Sequence, residues 1–433
     1  MKKILILVFL VPVLSFAGFL DLIQEQLDKS SSYLSAVMTY KEAEFSLSKN
    51  RNVFIPYIGI DEFSVSTDFE DYTLSIPFFV KFQNIAGFDF TVSNGWTYSS
   101  KQGEWNDSGW AFTISRELFS NWDITDLENE EGYISASWNL IEARNKVFLN
   151  LANDIFNYHY YTRKLEVTKR KIEILEDQFN SLQKAYEAGT ASKEDILQVQ
   201  SSIYQATNQL DQISQNLMDA LTEYSTDTLN TMLACLERIT TTLPSEQEAQ
   251  KLVMNRLDLK AQLIALEIAK RQSDRAYQEW LPNPTFSFKI KQDESSEKGY
   301  SFSLGFSFGY SILDRGEKNY TYNKLKDSYS LQQRILDEQL DNLKKAVQKA
   351  FLSIRIAESS KKVAELDLQL KKMEYENTLN ASSFVSESDL ESAKLNLDDA
   401  ELEFLKTNYN LLIAKISLLQ ALGIDLVQLA GGK

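Results

Sequence analysis

Residues 390–418 read LESAKLNLDDAELEFLKTNYNLLIAKISL, and residues 196–224 read ILQVQSSIYQATNQLDQISQNLMDALTEY. In the earlier stretch Ile196, Val199, Ile203, Ala206, Leu210, Ile213, Leu217, Ala220 and Tyr224 follow alternating steps of three and four. Leu390, Ala393, Leu397, Ala400, Phe404, Thr407, Leu411, Ala414 and Leu418 repeat those steps in the same register. An apolar seam of period 3.5 held this long predicts a long helix packed lengthwise against others. Its recurrence predicts a duplicated architecture, with the two halves in equivalent places. The later stretch carries a second seam, Leu395, Leu402, Leu405, Tyr409, Leu412, Ile416 and Leu419, on nearly the opposite side. A helix with two seams has two neighbours, as the wall of a hollow tube requires.

Working outward, the interval from Glu317 to Asn380 holds no Pro and no Gly. Its seam, Leu336, Leu340, Leu343, Val347, Ala350, Ile354 and Ala357, then shifts phase to Val363, Leu366, Leu370 and Met373. Unbroken, this interval predicts a helix of roughly 95 Å at about 1.5 Å per residue. The two helix-to-helix turns also match. Gly189 suits the left-handed residue that ends a helix, and Ser192 with Asp195 makes a variant capping box for the next. Ser386 and Asp389 hold the same places in the second copy, with Asn380 standing in for glycine.

Strand-like alternation is confined to short intervals. Phe286, Phe288 and Ile290 alternate with Ser287, Lys289 and Lys291. Phe302, Leu304, Phe306, Phe308, Tyr310 and Ile312 alternate with Ser301, Ser303, Gly305, Ser307, Gly309 and Ser311. The polar loop 293–299 makes these a hairpin over about 284–312 with one aromatic and one small polar face. With almost everything else helical and no second layer to pack on, that pattern predicts the wall of a membrane β-barrel, with Phe286, Phe288, Phe302, Phe306 and Phe308 facing lipid. In the first half Trp110, Phe112 and Ile114 alternate with Ala111, Thr113 and Ser115, and an upstream mate begins near Phe54. Two further alternating runs between them amount to an insertion of about 32 residues, one extra hairpin at about 70–100. Alternation leaves open whether that hairpin joins the barrel. Two hairpins supply four strands, and about eight is the least that closes, so the chain is expected to oligomerise, with two or three copies both sufficient.

Composition bounds the rest. The opening Met-Lys-Lys, the apolar run Ile4–Leu14 and Ser15-Phe16-Ala17 read as an export signal over residues 1–17. The domain reading is then residues 18–243 for the first repeat and 244–433 for the second, both in one intertwined architecture. The net charge is −16, or −18 without the two signal lysines, which disfavours nucleic acid as a partner. Cys235 is the only cysteine and reads as a buried, unreactive thiol. His159 is the only histidine, on a helix, and reads as structural. No phosphate loop, zinc spacing or nucleophile elbow is present, so neither an enzyme nor a cofactor is expected.

Several segments, in this order and with the duplication, resemble the TolC-like outer-membrane efflux proteins over nearly the whole chain. Asn255-Arg256-Leu257-Asp258-Leu259 begins a helix that ends at Trp280-Leu281-Pro282. Ile312-Leu313-Asp314-Arg315-Gly316 is similar to the family's step from strand to helix. Tyr186, Gly189, Ser192, Asp195 and Leu197 are similar to its turn signature. The second turn departs from it, with Ser383 where glycine is expected. The resemblance implies a mainly α fold with a β-barrel part: a homotrimer with a twelve-stranded outer-membrane barrel on a periplasmic α-helical tube. It implies an exit duct for tripartite efflux or type I secretion, partnered by a periplasmic adaptor and an inner-membrane transporter. It also implies a periplasmic gate lined by acids after the second turn, which carries onto Asp389, with Glu387, Asp195 and Glu194 as further candidates. The alternative is an envelope spacer with no through-pore.

Overall fold

Nothing between Glu317 and Asn380 interrupts backbone hydrogen bonding, and in the computed structural model that interval is a single 64-residue helix. The structure describes residues 18–67, 70–218, 223–292, 299–381 and 385–431. The expected signal, loop residues 293–298 and Ser383 lie outside them. In chain order the elements are α1 (described over 18–29), α2 (Ser31–Arg51), β1 (Tyr57–Ile60), β2 (Ser64–Thr67), β3 (Tyr72–Ile85), β4 (Phe88–Ser99), β5 (Glu104–Asp107) and β6 (Ala111–Glu117). There follow α3 (Trp122–Glu187), α4 (Lys193–Met218), α5 (Thr226–Ile239), α6 (Glu246–Val253) and α7 (Leu257–Asp274). After a short 3-10 turn come β7 (Thr285–Gln292), β8 (Tyr300–Ser307), α8 (Glu317–Asn380), α9 (Glu387–Ala421) and α10 (Leu426–Ala430). No described helix is long and apolar enough to cross a membrane.

The chain divides into two compact units. The helical unit takes the chain up to Ala36, Asn139–Arg256 and everything from Asp341. Its α9 has the two faces that its two seams require. Leu402, Tyr409, Leu412, Ile416 and Leu419 enter one apolar cluster with Phe19 and Ile23 of α1, Phe148, Leu151 and Ile155 of α3, and Met232 and Leu236 of α5. Leu411 and Leu418 enter another with Leu343, Val347, Ala350 and Ile354 of α8 and Val253 of α6. Tyr409 stacks on Phe156 at 3.9 Å between ring centroids and donates its hydroxyl to Asn153. Cys235 is fully buried, and burial pushes its thiol up to about 11. His159 hydrogen-bonds the carbonyl of Ser225, the N-cap of α5. Buried Asn145 donates to the carbonyl of Ile424 and accepts from the Leu426 amide, pinning the chain before α10.

Three helical expectations are corrected. The first seam does not run through one helix to Tyr224: Ala220 lies outside the described residues, and Tyr224 is non-helical beside Ser225, whose side chain caps α5. Ser, Thr and Asp here compete for backbone donors and restart the helix. The inner face of α8 does not shift phase after Ala357. Ala364 is buried in continued register, whereas Val363, Leu366, Leu370 and Met373 are exposed. They form a second stripe of the same period on the outer side. Asn380 does not take the left-handed conformation; it is the last residue of α8.

The sheet unit comprises Val37–Trp138 and Leu257–Leu340. Its eight described strands form one antiparallel sheet in the order β1-β3-β4-β6-β7-β8, with β2 also on β3 and β5 also on β4. The upstream mate of β6 is therefore not the strand near Phe54: β3 and β4 stand between β1 and β6. Strand β8 stops at Ser307, so Phe308, Tyr310 and Ile312 lie beyond its end. The breaks have a local cause. Pro77 has no amide to donate, and the chain opposite leaves the ladder between β1 and β2, with only Asp61 still donating to the Pro77 carbonyl. Pro77 pairs with Gly95, and beyond Gly95 the line of β5 and β6 is broken around Gly109, whose φ of +75° suits glycine.

At the base of the sheet unit Asp123 accepts from Arg275 at 2.6 and 2.8 Å and from Arg271 at 3.1 Å. The Arg275 guanidinium, with Arg271 beside it, holds this carboxyl below the usual carboxylate range against the opposing effect of burial. A depressed folded-state value means stabilisation fully present above the unfolded value of about 3.9 and lost as pH falls through the folded one. Asp123→Asn is expected to lower stability by about 1–3 kcal/mol at neutral pH. The gap between variant and wild type should close below the folded-state pKa. Heat unfolding at a series of pH values measures both.

Candidate functional site

Two places carry the candidate residues: the faces of the sheet and the starts of α4 and α9. On the sheet, residues paired across strands share a face. Phe286 pairs with Phe306 and Phe288 with Leu304, with ring centroids of Phe286 and Phe306 5.1 Å apart. All five phenylalanines named from the sequence are exposed in the single chain, from 37% for Phe288 to 65% for Phe302. Four sit on the apolar face; the fifth, Phe308, follows the strand end, its ring against Phe306. The opposite face carries Ser287, Lys289, Ser303 and Ser307. Gly305 pairs with Ser287, and a Cβ there would fall 2.4 Å from the Ser287 hydroxyl, so glycine makes room for that side chain.

The step from β8 into α8 is built on Asp314. Its carboxylate accepts from the Gly316 and Lys318 amides, and these hold it below the usual range. Arg315 and Gly316 both have positive φ, which turns the chain into the helix. Arg256 donates to the carbonyl of Ala421 at the end of α9, and Asp258 accepts from Gln339 of α8.

At the tips, the predicted capping geometry is present. Gly189 has a φ of +74°. The Asp195 amide donates to the Ser192 hydroxyl at 3.1 Å, while the Ser192 amide and hydroxyl donate back to the carboxylate. Those bonds hold the Asp195 carboxyl low. Ser386 is the N-cap of α9; it accepts from the Asp389 amide and donates to the Asp389 carboxylate at 2.6 Å. Glu194, Asp195, Glu387 and Asp389 are all exposed. No hydrogen bond or ion pair among the described residues joins the pair on α4 to the pair on α9.

The sequence reading missed a cleft beside the second tip, lined by Arg170 and Asp177 of α3 and Glu387, Glu391, Lys394 and Asp398 of α9. Arg170 pairs with Asp398 at 3.3 Å, and Arg163 with Glu401 further along. The available signal was opposite charge flanking two facing seams, which no single helix displays.

By sequence, the chain matches no protein-family model and no curated protein. By structure, it is similar to the outer membrane protein VceC of Vibrio cholerae, with a TM-score of 0.58 at 14% identity over 94% of this chain and 96% of that one. It is similar to the CmeC outer membrane channel of Campylobacter jejuni, with a TM-score of 0.58 at 13% identity over 93% and 85%. It is also similar to CusC, with a TM-score of 0.54 at 14% identity over 93% and 91%. At such identities the likeness is one of fold, and the fold is TolC-like: mainly α, with an antiparallel sheet of β-barrel type.

Removing the second cap isolates its contribution. Ser386→Ala is expected to cost about 1 kcal/mol locally and speed amide exchange in the first turn of α9 roughly five-fold. Hydrogen exchange read by mass spectrometry would show it, with the first turn of α4 unchanged.

Proposed function

We propose that the chain is an outer-membrane channel: a trimeric exit duct that carries substrates across the outer membrane and through the periplasm. The observation that carries this reading is the sheet. One face is apolar and exposed, the other is small and polar, and both ends of the strand order, β1 with β2 and β8, are open edges. In hydrocarbon an open edge leaves backbone groups unsatisfied, so such a sheet is stable there only when copies of the chain pair edge to edge into a closed barrel. The exposed stripe Leu366, Leu370 and Met373 on α8 offers those copies a helical contact as well. The similar folds, which include the CmeC outer membrane channel, support the membrane location and a channel rather than an enzyme.

In this reading the two halves take equivalent places in the tube wall, and three copies make the ring. A periplasmic adaptor and an inner-membrane transporter feed the duct, in tripartite efflux or type I secretion. Phe286, Phe288, Phe302, Phe306 and Phe308 meet lipid. The first turn of α9 is the periplasmic gate: three copies of Asp389, with Glu387 beside it, ring a narrow opening that attracts cations. Asp195 and Glu194 are the outer candidates, because the Asp195 carboxylate is committed to its cap by two hydrogen bonds, from the Ser192 amide and hydroxyl.

The test is conductance in a planar bilayer. Wild type is expected to conduct and to be blocked by multivalent cations from the periplasmic side, and Asp389→Ala to lose at least ten-fold in blocker affinity. Equal block of both proteins moves the gate to Glu387. A protein that inserts and does not conduct is a spacer.

A further inference from the structure

The hairpin of β3 and β4 is inserted into the middle of the sheet, and its faces match those of the rest. Strands β1 and β2 both lie along β3, and β5 and β6 both lie along β4, so the eight strands fall on six lines. Pairing can be followed from one edge to the other. Ile58 pairs with Val80, Val80 with Val92, Val92 with Phe112, Phe112 with Ile290, and Ile290 with Phe302. That rung is apolar on all six lines. The next is polar from β3 to β8, Lys81 with Thr91, Thr91 with Thr113, Thr113 with Lys289, and Lys289 with Ser303, and on β1 it ends at Tyr57. From Thr73 to Phe82 the hairpin keeps the register and the dyad period of β6, β7 and β8; the register shifts only beside the turn, between Phe82 and Ile85, and Phe79 on the polar face and Asn94 on the apolar face are the exceptions.

Three further observations agree. At 14 and 12 residues, β3 and β4 are the longest described strands, and about 9–11 residues suffice to cross a bilayer. Their connection is tight, with Asn84, Ala86 and Gly87 at positive φ, and it lies at the end of the sheet where β6 leaves for α3. A Cβ on Gly87 would meet Ser120 and Trp122 at about 3 Å, so this turn is fitted against the start of α3. Near it, on the polar face, Lys81 and Asp89 form an ion pair at 3.3 Å. A short turn at the helix side and longer connections at the other end is the pattern of a membrane barrel.

From these we infer that the inserted hairpin is part of the membrane wall, so that each chain supplies six strand lines and three chains close a barrel of eighteen rather than twelve. With strands ~4.8 Å apart and tilted ~40°, the backbone diameter rises from about 24 Å to about 36 Å. The barrel is then the wide part of the duct, lined by Thr, Ser and Lys side chains, and selection between solutes falls to the tip. This rests on the channel reading above and adds to it the number of strands and the bore.

The experiment uses the full chain carrying Cys235→Ser, reconstituted in lipid vesicles, with one cysteine at a time: Thr91→Cys and Val92→Cys in β4, and Ser303→Cys and Phe302→Cys in β8. A water-soluble maleimide should label positions 91 and 303 at least ten-fold faster than 92 and 302. If 91 and 92 label alike while 303 and 302 still differ, the hairpin stands outside the wall and the inference falls, with the channel reading intact. If 302 and 303 also label alike, the membrane reading itself fails. The native mass of the unmutated oligomer supplies the copy number independently of any variant. Three copies complete eighteen lines, and two copies would make twelve and overturn the count.

Discussion

Backbone hydrogen bonding at the two ends of the sheet constrains everything else in this molecule. A strand edge in water can be solvated, but an edge in hydrocarbon has no such partner. The chain presents two edges, on β1 with β2 and on β8, and a broad apolar face that water does not favour. Closing the edges with further copies satisfies both demands at once. In the channel reading, copies set in a ring by their strands set the helices that continue from those strands in a ring too. The step at Asp314, Arg315 and Gly316 turns the chain from β8 into α8 with its first amides already satisfied.

The helical unit meets a different requirement. A long helix supported on one side only would need its own propensity to hold it, and propensity alone is weak over such lengths in water. Here α9 is held on two sides, by the cluster with α1, α3 and α5 and by the cluster with α8 and α6. Charged pairs run beside the apolar contact, Arg163 with Glu401 and Arg170 with Asp398. They are largely exposed and contribute register more than stability. The result is a wall element whose position is fixed by packing, with polar side chains left for the remaining surfaces.

Much of this was legible in the residue order, and what was not has physical reasons. The absence of Gly and Pro marks α8, and two seams on one helix mark two neighbours, because helix periodicity is a local property. The alternation of apolar and small polar residues identifies which residues of a strand share a face, and it reads the same way on β4, β6, β7 and β8. For that reason it says nothing about which strand is next to which: Phe112 is as good a neighbour for Ile58 as Val80 is, and only the fold places β3 and β4 between them. The misread phase shift on α8 has the same origin. Val363 and Ala364 belong to different faces with the same period, and a single sequence does not mark which face is turned inward. At the tips the caps were readable because Ser and Asp three apart act within one turn. Whether the acids they carry meet across an opening depends on copies of the chain that a single sequence does not contain.

The exposed aromatic face and the unpaired edges also govern the protein before it reaches its final state. The helical unit has its own buried clusters and can gain most of its order within one chain, whereas in the channel reading the sheet acquires its last partners only from other copies. Between synthesis and assembly each chain is a sticky intermediate with free strand edges, which is the form most prone to wrong pairing. In that reading its lifetime scales with the delay in finding further copies, so dilution lengthens the hazard and holdase chaperones shorten its consequences. For such a protein, yield is set by the kinetics of meeting rather than by the strength of any one contact.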